Sequence, residues 1–397
     1  MDLRFGAEYE SFRRHVREFL EQHRGSAPSS SMSATGSRDD MRAVLDWQKI
    51  LVANGYAART IPKQYGGYGA APNLVENIII DEEFRAARVH RGIANQGISM
   101  LVPTLLQYGS EEQKQLYIES TILGETIWCQ GYSEPEAGSD LASLRTSARV
   151  DGDSYVINGQ KIWTSTAREA QLMFALVRTD PEASKHAGIS YIIIPMSAPG
   201  IEVRPLKTMV GTASFNEVFF EDVRVPRENL VGRPGQGWEV GRATLVHERN
   251  MLGSTSQTET MLQNCVDVLD GAGVLSEPVY RDRLMGIDAR VEAMKYHALR
   301  LLTDTLKGRR SGAAGLITKL NGCQLNHDIC ALAVDAMGER GLLIRDSAWV
   351  RDQGAWQAQY MFTLGLIIGG GTAQIQKNII SERGLGMPRE PKPQAAD

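Results

Sequence analysis

The sequence predicts an α+β protein in three parts: an N-terminal α-helical domain, a middle β-barrel domain and a C-terminal four-helix bundle. Two observations predict this order. Apolar residues recur at helical spacing towards both ends of the chain, whereas the middle holds short runs of β-branched and aromatic residues between turn-forming residues. The changes of pattern divide the chain into residues 1–125, 126–235 and 236–397.

Helical patterns dominate the first domain. Residues 3–24 carry apolar side chains on one side and predict a first helix, and 39–54 predict a second, whose acidic first turn suits the helix dipole. The Ser-rich stretch Gly25–Ser37 predicts a mobile loop. Ser110 and Gln113 have the spacing of a capping box that opens a later helix. Helical periodicity also covers 74–87 and 96–108.

The middle domain begins with a hairpin signal. Residues 147–165 form two β-prone runs around the turn-forming Asp151, Gly152 and Asp153. Further strands are predicted at 172–178, 189–195, 201–205 and 217–223. After residue 238 three long helical segments and a terminal one predict a four-helix bundle. Their breaks fall at 271–273, 308–312 and 338–341.

Composition indicates an ordinary globular protein, because 42% of the 397 residues are hydrophobic and 23% are charged. A net charge of −4 argues against a nucleic-acid-binding protein, which usually has a basic surface. No apolar run approaches the roughly 20 residues that span a bilayer. The N-terminus lacks the basic and apolar pattern of a signal peptide, so a cytoplasmic protein is expected.

The cysteines do not indicate a metal site. None of them forms a CxxC pair, and no histidine cluster accompanies them at metal-ligand spacing. We therefore expect buried free thiols in a reducing compartment and no bound metal. The four residues are Cys129, Cys265, Cys323 and Cys330.

Five segments together resemble the acyl-CoA dehydrogenase family. Gly371–Gln376 resembles the Gly-Thr-x-Gln-Ile-Gln signature that contacts FAD, and Gln130–Asp140 resembles the family's Ser/Thr-Glu-Pro-x-Ala-Gly-Ser-Asp loop. Lys161–Ser165 resembles the strand beside the flavin ring. Ile61–Gly69 and Asp335–Gly341 match two further landmarks, the second loosely. Their order and spacing fit the family along nearly the whole chain.

The resemblance implies an FAD site shared between subunits. The residues that it assigns to the flavin within one chain are Gln130, Tyr132, Ser133, Gly138, Ser139, Trp163, Thr164 and Ser165. Those assigned to the FAD of a neighbouring subunit are Gly338, Gly341, Thr372 and Gln374, with Arg281 as a candidate for the pyrophosphate. Asp335 stands where the family has a glutamine at the turn between subunits, so the contact that this glutamine makes stays open for this chain. A homotetramer is therefore expected, with a mixed tetramer as the alternative.

The catalytic base requires a separate search. Gly370 stands where many family members carry the catalytic glutamate, directly before the Gly-Thr. Some branches instead carry the base in a Glu-Arg pair on the first helix of the C-terminal bundle, which Glu248 and Arg249 match. A structural ion pair is the alternative role for Glu248. His247 and Arg249 are alternative candidates beside Glu248. Adjacent helical residues diverge by about 100°, so at most one of these three side chains faces the substrate.

The reaction implied by the resemblance is α,β-dehydrogenation of an acyl-CoA thioester to the trans-2-enoyl-CoA. Removing the α-hydrogen needs a desolvated carboxylate of raised pKa and hydrogen bonds to the thioester carbonyl. The family supplies one such bond from the backbone N–H at Gly370, and flavin N5 accepts the β-hydrogen as hydride. Ser139 and Arg249 are the expected substrate contacts.

Several alternatives stay open at this point. An electron-transfer flavoprotein or a similar acceptor is expected to take the electrons, in lipid metabolism such as fatty-acid β-oxidation. The same fold also serves an acyl-ACP dehydrogenase or an acyl-CoA oxidase of a biosynthetic pathway. Loss of the carboxylate at Gly370 favours a third reading, a non-catalytic subunit of a mixed tetramer.

Overall fold

The computed structural model describes residues 6–28, 38–251, 255–309, 312–389 and 391, and every side chain within them except those of 38–40, 248–251, 312 and 313. The chain divides into two compact units. The first comprises Met1–Leu206 and Ser214–Thr244, and the second comprises Lys207–Ala213 and Leu245–Asp397. The predicted domain boundaries near 125 and 235 stay predictions.

The first unit opens with the predicted helical part. Its helices are α1 (Ala7–His23), α2 (Arg38–Ala53), α3 (Leu74–Ala87), α4 (Val102–Tyr108) and α5 (Glu111–Ile122). The capping box is confirmed, because the Gln113 N–H donates to Ser110 Oγ at 3.2 Å and the Ser110 N–H donates to Gln113 Oε1 at 3.1 Å. A π-helical turn at Gly97–Leu101 precedes α4 within the predicted helix. Most of the predicted loop Gly25–Ser37 lies outside the described residues.

The remainder of the first unit is a single eight-stranded sheet. Its strands are β1 (Trp128–Gly131), β2 (Ser147–Asp151), β3 (Ser154–Ser165), β4 (Leu172–Arg178), β5 (Ile189–Pro195), β6 (Ile201–Leu206), β7 (Phe215–Pro226) and β8 (Leu230–Val231). The strand order is β6-β7-β3-β2-β4-β5-β8, with β1 paired in parallel to β4. The predicted hairpin is confirmed, because β2 and β3 pair antiparallel across a tight turn.

Alternate residues of several strands fill one core. Met173, Ala175 and Val177 of β4 lie in the same buried cluster as Val218 and Phe220 of β7. Successive strand residues point to opposite faces, so this cluster means that one face of the sheet encloses a common interior. That arrangement is the barrel-like middle domain predicted from the sequence.

Helices form the second unit. Its principal elements are the end of α6 (Gly237–Met251), then α7 (Thr255–Ala272), α8 (Pro278–Leu306), α9 (Ile317–Ala336), α10 (Ala355–Ile368) and α11 (Ala373–Ile379). Buried residues of α7, α8 and α9 share one core, and Trp356 of α10 packs against it. The predicted bundle is therefore confirmed, and α7, α8 and α9 end near the three predicted breaks.

Three further findings concern the described residues only. All four cysteines are buried and free, as predicted. Among the helices that the structure describes, none is both long enough and apolar enough to span a bilayer. Within the same residues, no cluster of three or more histidine, cysteine or acidic side chains could hold a metal ion.

Candidate functional site

A buried ion pair organises the Gln130–Asp140 loop of the first unit. Lys161 Nζ lies 2.8 Å from Glu134 Oε1 and also donates to the Tyr132 carbonyl at 3.1 Å. The Glu134 carboxylate also accepts hydrogen bonds from the backbone N–H groups of Arg145 (2.6 Å) and Thr146 (2.9 Å). The loop after β1 is thus tied to β3 by one fully buried lysine.

Burial governs the charge states of this pair. It lowers the pKa of Lys161 to about 8, against the attraction of Glu134. Burial by itself raises the pKa of Glu134, but Lys161 and the hydrogen bonds from Thr146 and Arg145 hold it below its ordinary value. A buried charge is tolerated only when it is paired and hydrogen-bonded, and here both conditions hold.

A β-bulge near the end of β3 displays Trp163. Lys161 pairs with Val218 and Thr164 pairs with Asn216, so two residues of β3 face one of β7. Trp163 lies in the left-handed region at φ +61°, and its side chain is 58% exposed. A bulky residue there is a genuine outlier. The bulge therefore turns a large aromatic ring outward, beside Phe215, which it meets edge-on at 6.0 Å.

The same bulge buries a hydroxyl group without a hydrogen bond. Thr164 is 1% exposed, and its Oγ1 has no partner among the described residues. Asn216 Oδ1 is buried in the same way, although its Nδ2 donates to the Thr164 carbonyl at 2.9 Å. Buried polar atoms in native proteins are nearly always satisfied, so an orphan hydroxyl next to an exposed aromatic ring suits a bound polar ligand. This fits the flavin position implied by the resemblance.

The remaining residues of this group lie on the loop and its strand. The Ile162 N–H donates to the Ser133 carbonyl at 2.9 Å, which brings Ser133 to the bulge that carries Trp163 and Thr164. A Cβ added to Gly138 would meet open space, and Ser139 is exposed. The structure therefore brings the loop and the strand together, with Gly138 and Ser139 at its accessible end.

The last three members of the group lie at or next to strand ends. Gln130 is part-buried on β1 opposite Phe174 of β4. Tyr132 is buried and packs edge-on against Phe174 at 6.0 Å and Tyr191 at 6.2 Å. Ser165 ends β3 opposite Phe215.

In the second unit, three glycines bridge α10 and α11. Gly370 has φ +64° and Gly371 has φ +97°, in the region that favours glycine. Thr372 caps α11 by accepting the Ile375 N–H at 3.2 Å, and Gln374 in the first turn is exposed. In the described part of the chain the Gly370 N–H makes no hydrogen bond. It is thus free to bind a ligand, which is the role expected of it.

A second group of glycines lies at the other end of α10. Gly338 has φ +55° and begins the turn after α9. At Gly341 a Cβ would come within 2.4 Å of the Val334 carbonyl, so only glycine fits. Gln357 near the start of α10 holds this turn by donating to the Arg340 carbonyl at 3.0 Å. The 14 residues of α10 separate it from the triglycine bridge by about 20 Å.

Arg281 is exposed in the first turn of α8. Two residues later, Arg283 donates to Asp335 Oδ2 at 2.9 Å, and Tyr280 OH donates to the Asp335 carbonyl at 3.2 Å. Asp335 is therefore held by its own chain, whereas the exposed Arg281 makes no side-chain hydrogen bond or ion pair with the residues that the structure describes.

The side chains of Glu248 and Arg249 lie outside the described residues, although both positions belong to α6. The neighbouring His247 is half-buried, and burial lowers its pKa. The assignment of the base to Glu248 stays a prediction.

Sequence reasoning missed two buried side chains at the triglycine bridge. Lys319 of α9 donates to the carbonyls of Ile367 at 3.1 Å and Gly371 at 2.7 Å. Gln376 of α11 donates to the Gly370 carbonyl at 3.1 Å. Gln376 belongs to the quoted signature, but nothing in the sequence pairs Lys319 with residues about fifty positions later.

Family models match nearly the whole chain. The acyl-CoA dehydrogenase N-terminal, middle and C-terminal domains match residues 6–125, 129–223 and 235–385. The chain therefore belongs to the acyl-CoA dehydrogenase family, whose members are flavin-dependent oxidoreductases of lipid metabolism. The predicted family, fold class and enzyme class are confirmed.

Individual relatives and solved structures agree with this assignment. Acyl-CoA dehydrogenase IpdE1 of Mycobacterium tuberculosis is 38% identical over 350 residues, covering 87% of this chain and 88% of the relative. Acyl-CoA dehydrogenase FadE26 of the same organism is 31% identical and covers 98% and 99%. The solved structure of the Tcur3481-Tcur3483 steroid ACAD matches with a TM-score of 0.81 and 30% identity, over 98% of this chain and all of that one. The ChsE4-ChsE5 complex from Mycobacterium tuberculosis matches at 0.79 and 30%, over 98% and 100%.

Proposed function

We propose that the protein is an FAD-dependent acyl-CoA dehydrogenase that converts an acyl-CoA thioester into the trans-2-enoyl-CoA. The observation that carries this proposal is the state of Gly370. It has no carboxylate, yet its backbone N–H makes no hydrogen bond to the residues that the structure describes, and its backbone conformation is one that glycine favours. Such a group can stabilise the negative charge that develops on the thioester oxygen, while the base is supplied from elsewhere.

The chain's own residues fit FAD. The bulge at Trp163–Ser165 and the loop Gln130–Ser139 would hold the flavin portion, with the Thr164 hydroxyl finding there the hydrogen bond that it lacks. Gly338, Gly341, Thr372 and Gln374 lie at two ends of α10, which suits contacts to separated points of a neighbour's extended FAD. Arg281 would contact the pyrophosphate. Bound FAD supplies hydride-accepting chemistry at N5.

Glu248 is the proposed base. A carboxylate can remove a thioester α-hydrogen when burial raises its pKa and the carbonyl oxygen is hydrogen-bonded. His247 is the principal rival, since its lowered pKa leaves the imidazole neutral and able to accept a proton at pH 7. Arg249 is assigned to the substrate together with Ser139.

The acyl group of the substrate is best sought among bulky thioesters. One solved neighbour at 30% identity is named a steroid ACAD, which supports a sterol-derived acyl chain over a short one. The test is a panel of straight, branched and sterol-side-chain acyl-CoA thioesters, assayed with an artificial electron acceptor. Peroxide formed without the acceptor would indicate an oxidase, and turnover of acyl-ACP alone would indicate an acyl-ACP dehydrogenase. If no thioester reduces the flavin, the proposed function is wrong.

A tetramer, homomeric or mixed, is the proposed assembly. Two solved neighbours are each named as a pair of different chains, which supports a mixed assembly with a related chain. The turn after α9 exposes Leu342, Ile344 and Trp349, each by at least 70%. Exposed apolar patches of this kind mark interaction sites. Light scattering should give a mass above that of one chain. Leu342→Asp should reduce this mass, whereas Leu116→Asp on α5 is the control and should leave it unchanged. A monomer loaded with FAD would contradict the proposal.

A non-catalytic role within such an assembly is the second candidate. The absence of a carboxylate at Gly370 favours it, whereas the intact bulge and loop oppose it. The non-catalytic role is excluded if the chain purified alone holds FAD and a thioester reduces that FAD. The four free thiols favour a reducing compartment such as the cytoplasm. An electron-transfer flavoprotein is the proposed electron acceptor.

A further inference from the structure

The triglycine bridge Gly369–Gly371 is held by buried side chains from α9 and α11. Three consecutive glycines have the widest backbone freedom of any tripeptide, so they do not fix a donor on their own. In the structure the Gly369 N–H closes the end of α10 by donating to the Gly365 carbonyl at 2.8 Å. The two residues that follow take positive φ angles and depend on other contacts for their orientation.

Lys319 provides the first of these contacts. Its side chain enters from the first turn of α9 and is 4% exposed. One ammonium group binds the Ile367 carbonyl before the bridge and the Gly371 carbonyl at its end, at 3.1 Å and 2.7 Å. Since the Ile367 carbonyl belongs to the last turn of α10, the cation also stabilises the negative end of that helix.

Gln376 provides the second contact from α11. It is 3% exposed, and its Nε2 donates to the Gly370 carbonyl at 3.1 Å. A Cβ on Gly371 would approach this nitrogen to 2.7 Å, so the glycine is needed for the side chain to reach the bridge. The carbonyls of Ile367, Gly370 and Gly371 are thereby all directed towards buried donors.

The two held carbonyls fix the backbone directly after Gly370. A trans peptide is planar, so a carbonyl held on one side directs the N–H of the same peptide to the other side. The held carbonyls of Gly370 and Gly371 thus fix the two peptides that carry the N–H groups of Gly371 and Thr372. With the end of α10 fixed as well, the Gly370 N–H lies between two anchored points.

We propose that Lys319 and Gln376 are positioning residues that hold the triglycine bridge so that the Gly370 N–H stays directed at the thioester oxygen. This inference rests on the proposed function. Electrostatic stabilisation of an oxyanion depends on donors that are already oriented before the charge develops. Neither side chain needs to touch the substrate for this role.

The test uses acetoacetyl-CoA, whose enolate is the stable counterpart of the charge developed in catalysis. The purified FAD-loaded protein is titrated with this thioester across a pH range, and the bound enolate is measured by its own absorbance. We expect the wild-type protein to lower the pKa of the bound thioester. Lys319→Met and Gln376→Met should each weaken this stabilisation about tenfold, less than the roughly 10²–10³-fold effect of removing an oxyanion donor outright. Turnover should fall in parallel, with KM nearly unchanged.

Lys295→Met is the matched control, because Lys295 lies in the same unit and pairs with the carboxylates of Glu292 and Glu259 rather than with the backbone of the bridge. It should leave the enolate pKa unchanged. If Lys319→Met does not fold, Gln376→Met decides alone. Variants that lose thermal stability but keep the wild-type enolate pKa would overturn the positioning role and leave the proposed function standing. A wild-type protein that does not shift this pKa would contradict the proposed function, and the positioning role with it.

Discussion

Lys161 Nζ and Glu134 Oε1 lie 2.8 Å apart in the interior of the first unit, where the lysine is fully buried. This contact joins the loop that follows β1 to the strand that carries Trp163 and Thr164. Removing one member of a buried pair leaves the other charge uncompensated, which is far more costly than removing both. The pair therefore anchors the Gln130–Asp140 loop to β3.

Glu134→Gln should destabilise the protein by about 3–5 kcal/mol, because the Lys161 ammonium would lose its counter-ion. Adding Lys161→Met should recover much of that loss, which a double-mutant cycle in urea would quantify. The control is Glu202→Gln in the exposed pair with Arg204, for which no measurable change is expected. If Glu134→Gln and Glu202→Gln lower the free energy of unfolding equally, burial does not set the strength of these two ion pairs.

The same carboxylate predicts a pH dependence. The pKa of Glu134 lies below its ordinary value of 4.5, so its contribution to stability is present above that pH and is lost as the pH falls through the lower folded value. The stability difference between wild type and Glu134→Gln should therefore narrow on acidification below pH 4.5. Thermal unfolding of both proteins between neutral and acidic pH checks this, and a constant difference would contradict it.

Thr164→Val should stabilise the protein without FAD and reduce the further stabilisation that added FAD gives. Without FAD it removes a buried hydroxyl that has no partner among the described residues, a group that costs about 1–3 kcal/mol, so the melting temperature should rise. With FAD added, the further gain in stability should be smaller than in the wild type, because a contact is lost. Thr104→Val is the control: its hydroxyl donates to the Met100 carbonyl at 2.7 Å, so it should destabilise both forms. A Thr164→Val protein that is less stable without FAD would refute this account.

Gly370→Ala should destabilise the protein by about 1–2 kcal/mol, since a Cβ is strained at φ +64°. Gly286→Ala within α8 has open space for a Cβ and should instead stabilise by about 0.5–1 kcal/mol. Denaturant unfolding measures both. Gly370→Glu carries the same strain, so any carboxylate restored there would be supplied from a distorted bridge. Two substitutions of equal sign would argue against the strain.

Glu248→Gln should keep FAD and thioester binding but lower turnover by roughly 10²–10⁴-fold, the usual effect of losing a general base. Stopped-flow reduction of the flavin by a substrate from the thioester panel is the measurement. Glu239→Gln on the same helix is the control, because Glu239 accepts a hydrogen bond from Tyr108 at 3.3 Å and should not affect the rate. Near-normal reduction by Glu248→Gln would place the base elsewhere, and His247 would be replaced next.

The sequence alone determined most of the elements and the family of this protein, although it did not predict the short strands β1 and β8. The predicted strands at 172–178 and 189–195 and the helix at 74–87 coincide with β4, β5 and α3, because their signals are local: β-branched runs bounded by turn residues, or apolar residues at helical spacing. The capping box at Ser110 is equally local, since both of its hydrogen bonds join residues three apart.

Only the tertiary structure decided which distant groups satisfy one another. The outward turn of Trp163 arises because β3 carries one extra residue against β7, and the register of two strands is not written in either strand. Lys161 with Glu134, and Lys319 with Gly371, join residues far apart in sequence through buried side chains. A buried charge must find its partners wherever the fold brings them, so the positions that hold the loop and the triglycine bridge emerge only once the chain is packed.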